Sequence, residues 1–418
     1  MGMTLAERIL ANKSGKSKVS PGEIVDAYPD AVMSHYASYR SVNVLKKIGV
    51  DEPYDPDRIV IIIDHRVPAR TVENANQEKI ARDFAKERNL KNFYDVHKGI
   101  AHLVMMENGH VLPGDLVLGT DSHSTIYGCM GALGCGIGFT ECASIWITGK
   151  LWMKVPESYK IVHHGVFPKG VYAKDLILDF IGKVTANGCT YKSVEFHGDL
   201  IPHLSMSERM TLTCMSMEMG VKSAFIPPDE VTLNYLKGRT GRKISLIQPD
   251  KDAVYAKEFV VNVEKLEPVV AVPHNVDQVK KVSEVAGRPF HQAFVGSCAN
   301  ANLDDLKVVA DILKGRKVHP NVRFIIAPSS QEVFLDATRA GIIQSLIGAN
   351  VLVTNPGCSA CGDDGGALAD GEICLASSTR NFLGRMSNRK SEVYLSSPAT
   401  VAASAIRGVM TDPREFVG

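Results

Sequence analysis

The chain has 418 residues, enough for about two to four domains with sizeable cores. It is 45% hydrophobic and 22% charged, with 47 Lys and Arg against 46 Asp and Glu and a net charge of +1. That balance gives no electrostatic case for nucleic acid or an anionic membrane as a partner, and no apolar run approaches the roughly 18–20 residues of a spanning helix.

The first segment, MGMTLAERILANKSGKSK, is amphipathic and has no apolar h-region, so it does not read as a secretory signal. Ala6 stands where a myristoylation signal has Ser or Thr. The nine cysteines are odd in number and scattered, which argues against a disulfide framework; most are expected to be small buried apolar groups. These features lead us to expect a soluble cytoplasmic protein.

Further along, β-branched and apolar runs read as strands: RIVIIID (58–64), YKIVHHG (159–165), VVAVP (269–273), HQAFVGSC (291–298), VRFIIAP (322–328), NVLVTNP (350–356) and EVYLSSP (392–398). Helical patterns, including LDDLKVVADILKG and SQEVFLDATRAGIIQSLIG, lie between the last four. The alternation predicts an α/β architecture of mostly parallel sheet covered by helices. Breaks fall near residue 155 and within the polar stretch 274–290.

In such sheets ligands bind beyond the carboxyl ends of the strands, and the reactive residues fall there. RIVIIID runs into Asp64-His65, DLVLGT into Asp121-Ser122-His123, HQAFVGS into Cys298, and NVLVTNPG into Cys358 and Cys361. Four such strand ends suggest one site assembled from separate segments. A Cys-x-x-Cys pair alone suits a redox couple, half a zinc site or an inert buried pair. Cys298 adds a third thiol, and three thiolates from two strand-end loops can hold three irons of a [4Fe–4S] cube, leaving the fourth iron open as a Lewis acid. GCGIGFTECA (134–143) reads as a glycine-rich turn before a helix; the acidic residue a dinucleotide site needs after a second strand is absent.

The motifs GSCAN, NPGCSAC, GTDSHS, DHRVPA and RNFLGR together resemble the aconitase superfamily, closest to the large subunits of 3-isopropylmalate dehydratase and homoaconitase, over residues 3–415. The resemblance implies three aconitase-type α/β domains, 1–155, 156–280 and 281–418, around a [4Fe–4S] cluster held by Cys298, Cys358 and Cys361. It also implies a separate small subunit in place of the swivelling fourth domain. The implied chemistry is reversible loss of water from a hydroxy-dicarboxylate. The open iron would polarise the C–O bond, and protonated histidines would help hydroxide leave. Carboxylates would orient and charge those histidines: Asp64 with His65, Asp121 with His102, and Glu218 with His123. Arg380 and Arg385, with Ser122, would bind substrate carboxylates.

The chain departs from the family's usual pattern in several places. Ala299, Ala301 and Asn302 replace Thr, Gly and Arg, and the paired cysteines are followed by CGDDGG. Thr379 and Cys214 replace asparagines, and Tyr36 replaces the acid after His35. These changes suggest a re-aimed pocket. The first substrate expected is 2,3-dimethylmalate, dehydrated to dimethylmaleate, with 3-isopropylmalate dehydratase or homoaconitase next and a cluster-binding but inactive paralogue as the reading of another class. RNA binding, known for some relatives, has no basic or aromatic stripe to support it.

Overall fold

The computed structural model describes residues 2–362 and 365–417; the two aspartates of CGDDGG fall outside them. Among the described residues three sheets organise the fold, besides an antiparallel ribbon of Ile24–Ala27 with Leu151–Lys154. The first runs, in spatial order, Phe93–Tyr94, Ile59–Ile62, Ala31–Ser34, Leu116–Gly119 and Leu133–Gly136, parallel throughout. The second runs Ser223–Phe225, Ser193–His197, Ser158–His164 and Lys257–Asn262, also parallel. The third has five parallel strands, Glu392–Ser396, Ile373–Ala376, Gln292–Val295, Arg323–Ile326 and Leu352–Val353. Two antiparallel strands, Val269–Ala271 and Val279–Lys281, extend it beyond Glu392–Ser396.

Counted in chain order within each sheet, the parallel strands stand 3-2-1-4 in all three, with a fifth beside the fourth in the first and third. The order of the strands reverses between strands 1 and 4, which opens a crevice at their carboxyl ends. The strands suit this setting: Ile59–Ile62 reads IVII and is buried along its whole length, as a parallel strand covered on both faces must be.

One core joins the sheets, drawing Val60 and Ile62 from the first, Ile161 and Val194 from the second, and Phe294 and Leu395 from the third. The outer face of the first sheet has its own core around Ile61, Leu118, Phe84 and Trp146. The third sheet has another around Val295, Ile326, Leu306 and Ala402. Among the described residues no helix is long and apolar enough to cross a membrane.

Three details differ from the sequence reading. The strand 269–271, on the second unit's side of a break at 280, and the strand 279–281, which straddles that break, join the third sheet: Val270 and Ala271 pair with Ser396 and Leu395, and 279–281 pairs with 269–271. The helical stretch after residue 330 is two helices, Gln331–Arg339 and Ile342–Gly348, since Gly341 turns left-handed (φ +72°) between them. NVLVTNP yields only a two-residue strand, Leu352–Val353, its start set by Asn350 at φ +69°.

Candidate functional site

The first sheet delivers acids and histidines to its switch point. Asp121 follows Leu116–Gly119, and its carboxylate accepts the His123 N–H at 2.8 Å, capping the 3-10 turn Ser122–Met130. His102, on the buried helix Ala101–Glu107, places Nε2 3.1 Å from Asp121 Oδ1 and Nδ1 3.2 Å from the Tyr127 hydroxyl. Asp64 lies two residues past Ile59–Ile62; one of its oxygens is 2.7 Å from His65 Nδ1 and the other accepts the Ala101 N–H at 3.0 Å. Asp64 thus holds both its histidine and the start of the His102 helix. Across the switch point, His35 Nδ1 lies 2.6 Å from Thr120 Oγ1.

The second region contributes through helices instead of strand ends. Glu218, in the turn after helix Met206–Met215, puts Oε1 2.8 Å from His123 Nε2 and accepts Arg380 Nε–H at 2.8 Å. Arg380 also donates to Ser122 Oγ at 3.1 Å. Burial would raise the Asp121 and Glu218 carboxyls; His102 and His123 hold Asp121 well below its ordinary range, and His123 with Arg380 lowers Glu218. Burial would lower His123, yet the Cys298 sulfur, Asp121 and Glu218 raise it to about 10. An imidazolium is therefore held between two carboxylates, poised to give up a proton when the local charge changes.

The third sheet delivers the thiols. Cys298 follows Gln292–Val295 through Ser297 at φ +74°, and Cys358 and Cys361 follow Leu352–Val353. Cys298 and Cys361 are buried and Cys358 is half-buried. Arg385 donates to Cys361 Sγ at 3.0 Å and is itself raised, first by Cys361 and also by the charges of Cys358 and Cys298. The Cys358 contact, with Arg385, holds Cys361 well below an ordinary thiol against the effect of burial. Among the hydrogen bonds that stitch this half to the first are Cys358 N–H to the Asp64 carbonyl at 3.4 Å and Asn355 Nδ2–H to the Val67 carbonyl at 3.0 Å. Beside them lies a cavity of about 510 Å3 lined by Asp64, Arg66, Arg70, Asn355, Cys358 and Ser359.

All the residues singled out from sequence therefore meet around one crevice, the His–acid pairs on one side and the cysteines on the other. Arg385 bonds a sulfur in this structure, whereas Arg380 bonds Glu218 and Ser122. Among the described residues no three His, Cys, Asp or Glu side chains already surround a single-ion site. A cluster does not ask for one, because each thiolate binds its own iron. Three thiols gathered beside a half-buried guanidinium are a donor set that fits an iron–sulfur cluster.

Sequence reasoning missed Lys174. It is buried on helix Ala173–Val184, and its Nζ donates to the Ser377 and Ser378 carbonyls at 2.8 Å each. It thereby fixes the turn that carries Arg380. Burial pushes Lys174 down to about 8, against the upward pull of Cys214, Cys298 and Cys361. The available signal was a Lys-Asp pair inside the apolar run of VYAKDLILDF. Of the departures, Tyr36 stacks on His65 (centroids 4.8 Å apart) under the Arg66 guanidinium, and Ala301 holds φ +88°, a left-handed conformation natural to glycine.

A profile described as the aconitase family (aconitate hydratase) matches residues 7–408. The 3-isopropylmalate dehydratase large subunit 1 of Methanopyrus kandleri is 46% identical over 419 residues, 100% of each chain. The probable 3-isopropylmalate dehydratase large subunit of Methanothermobacter thermautotrophicus is 46% identical over 99% of each chain. The probable methanogen homoaconitase large subunit of that organism is 42% identical over 100% of this chain and 99% of its own. With a match of this extent, the chain belongs to the aconitase family of hydro-lyases.

Proposed function

We propose that this chain is the large subunit of a hydro-lyase that reversibly dehydrates a substituted malate, working with a [4Fe–4S] cluster on Cys298, Cys358 and Cys361 and a separate small subunit. One observation carries this reading. Within a single five-residue step, Arg385 bonds the thiol half of the site at Cys361 while Arg380 bonds the acid–base half at Glu218 and Ser122. When bound, the cluster would supply a Lewis-acidic iron that weakens the substrate's C–O bond. His123, kept charged between Asp121 and Glu218, gives a proton to the departing oxygen; Asp121 with His102 and Asp64 with His65 orient the neighbouring imidazoles. Arg380, Arg385 and Ser122 hold the substrate's carboxylates. The small subunit is drawn from the relatives, which are named large subunits.

As substrate we place 3-isopropylmalate first and the homoaconitase substrate second, after the names of the relatives. 2,3-Dimethylmalate, expected first from the sequence departures, is named by none of the three relatives given above. The test is anaerobic co-expression with the small subunit, iron and sulfide reconstitution, and ultraviolet detection of the conjugated product. Turnover of 3-isopropylmalate alone supports the first reading. Turnover confined to dimethylmalate restores the earlier order, and an intact cluster with no turnover on the panel favours the inactive paralogue.

A further inference from the structure

The mechanism leaves one thiol unused inside the site. Cys214 lies on helix Met206–Met215, four residues before Glu218, with Sγ 3.4 Å from Cys298 Sγ. Relative exposure is 0% at Cys214 and 9% at Cys298. The helix and the cysteine loop are tied next to the pair, since Thr211 Oγ1 donates to the Ala299 carbonyl at 2.7 Å. The sulfurs therefore face each other across a fixed seam. A disulfide needs about 2.0 Å between sulfurs, so the pair must close by about 1.4 Å. Cys358 and Cys361 also touch, but Cys361 is bonded by Arg385, and Cys129 meets Met106 Sδ at 3.5 Å.

We propose that Cys214 and Cys298 form a disulfide when the chain is without its cluster and meets a peroxide, and that this bond blocks cluster loading until it is reduced. The consequence for loading rests on the reading of Cys298 as a cluster ligand; the bond itself does not. Peroxide reaches the more exposed thiol. The Cys298 sulfur attacks a peroxide oxygen, the O–O bond breaks, and sulfenic acid and one water form. Cys214 Sγ then attacks that sulfur, the S–O bond breaks, and a second water leaves as the S–S bond closes. Two electrons pass from the sulfurs to the peroxide, and two thiols become one disulfide. An asparagine at 214, as the resemblance leads one to expect, cannot do this.

The experiment treats the cluster-free full-length chain with hydrogen peroxide, alkylates it under denaturing conditions and maps the peptides. The expected result is loss of two of the nine alkylatable thiols, with a cross-linked peptide joining Cys214 to Cys298. Cys214→Ser and Cys214→Asn lack the cross-link. Peroxide-treated wild type takes up no iron and sulfide until dithiothreitol is added, while treated Cys214→Ser carries at Cys298 a sulfenic acid that dimedone traps, in place of the cross-link. A Cys358–Cys361 cross-link instead, or full alkylation of Cys214 and Cys298, overturns the proposal. If untreated wild type fails to load while the 214–298 cross-link forms, the cluster reading fails and the disulfide stands. If it loads and the cross-link does not form, the reverse holds.

Discussion

The second and third sheets share the strand order 3-2-1-4, yet they serve the site differently. At the carboxyl end of the third sheet stand Cys298, Cys358 and the Ser377–Arg380 turn. At the same end of the second stands a His–acid pair, His164 with Asp199 at 3.5 Å, exposed at 52% and 66% and far from water exclusion. The crevice is a property of topology, but it acts only where the loops are buried against another sheet. The second region reaches the site with Glu218, Cys214 and Lys174 on helices, which enter the shared core from the side.

Four substitutions test this contrast. Cys358→Ser, in the third sheet's loop, has the largest expected effect: iron and sulfide content falls and activity drops to background, read by metal analysis beside turnover. Glu218→Gln, in the second region but inside the crevice, lowers kcat by about 10²–10⁴-fold with cluster content kept, because His123 loses a carboxylate. Asp175, in the second region and outside the crevice, is raised by burial to about 7 from 3.8 while accepting the Tyr172 and Val269 N–H groups. A raised carboxyl contributes stability fully below its unfolded value and loses it as pH climbs through about 7. Asp175→Asn removes that slope, a change of at most about 4 kcal/mol between pH 4 and 8, seen in denaturant melts. His164→Ala has the smallest effect, with activity within about twofold of wild type as for other surface changes. A large loss there would mean that the second sheet's own crevice takes part.

Much of this was legible in the chain because the informative residues sit at strand ends, where burial and polarity change together: Asp64 after IVII, Asp121 after LVLG, Cys298 after QAFV. The pairing of Asp121 with His102, and of Glu218 with His123, needed the family resemblance, since the partners lie 19 and 95 residues apart. Short strands such as Ser223–Phe225 and Ala31–Ser34 carry too few residues for a pattern to emerge. The proximity of Cys214 to Cys298 was invisible because 84 residues separate them and nothing local marks the contact. Lys174 was passed over for a related reason: an amine on an apolar helix face has meaning only once the Ser377 and Ser378 carbonyls are in place.

The seam between the Asp64–Val67 loop and the Asn355–Cys358 loop bears on the protein's working life. Its hydrogen bonds include a long one of 3.4 Å from Cys358 N–H to the Asp64 carbonyl, and it joins two sheets that each keep an outer core besides the one they share. Such a seam can part while both flanking cores stay packed. Gentle warming should therefore end catalysis before circular dichroism registers any loss of helix, and storage half-life will follow the hinge between two intact halves rather than the melting point of either.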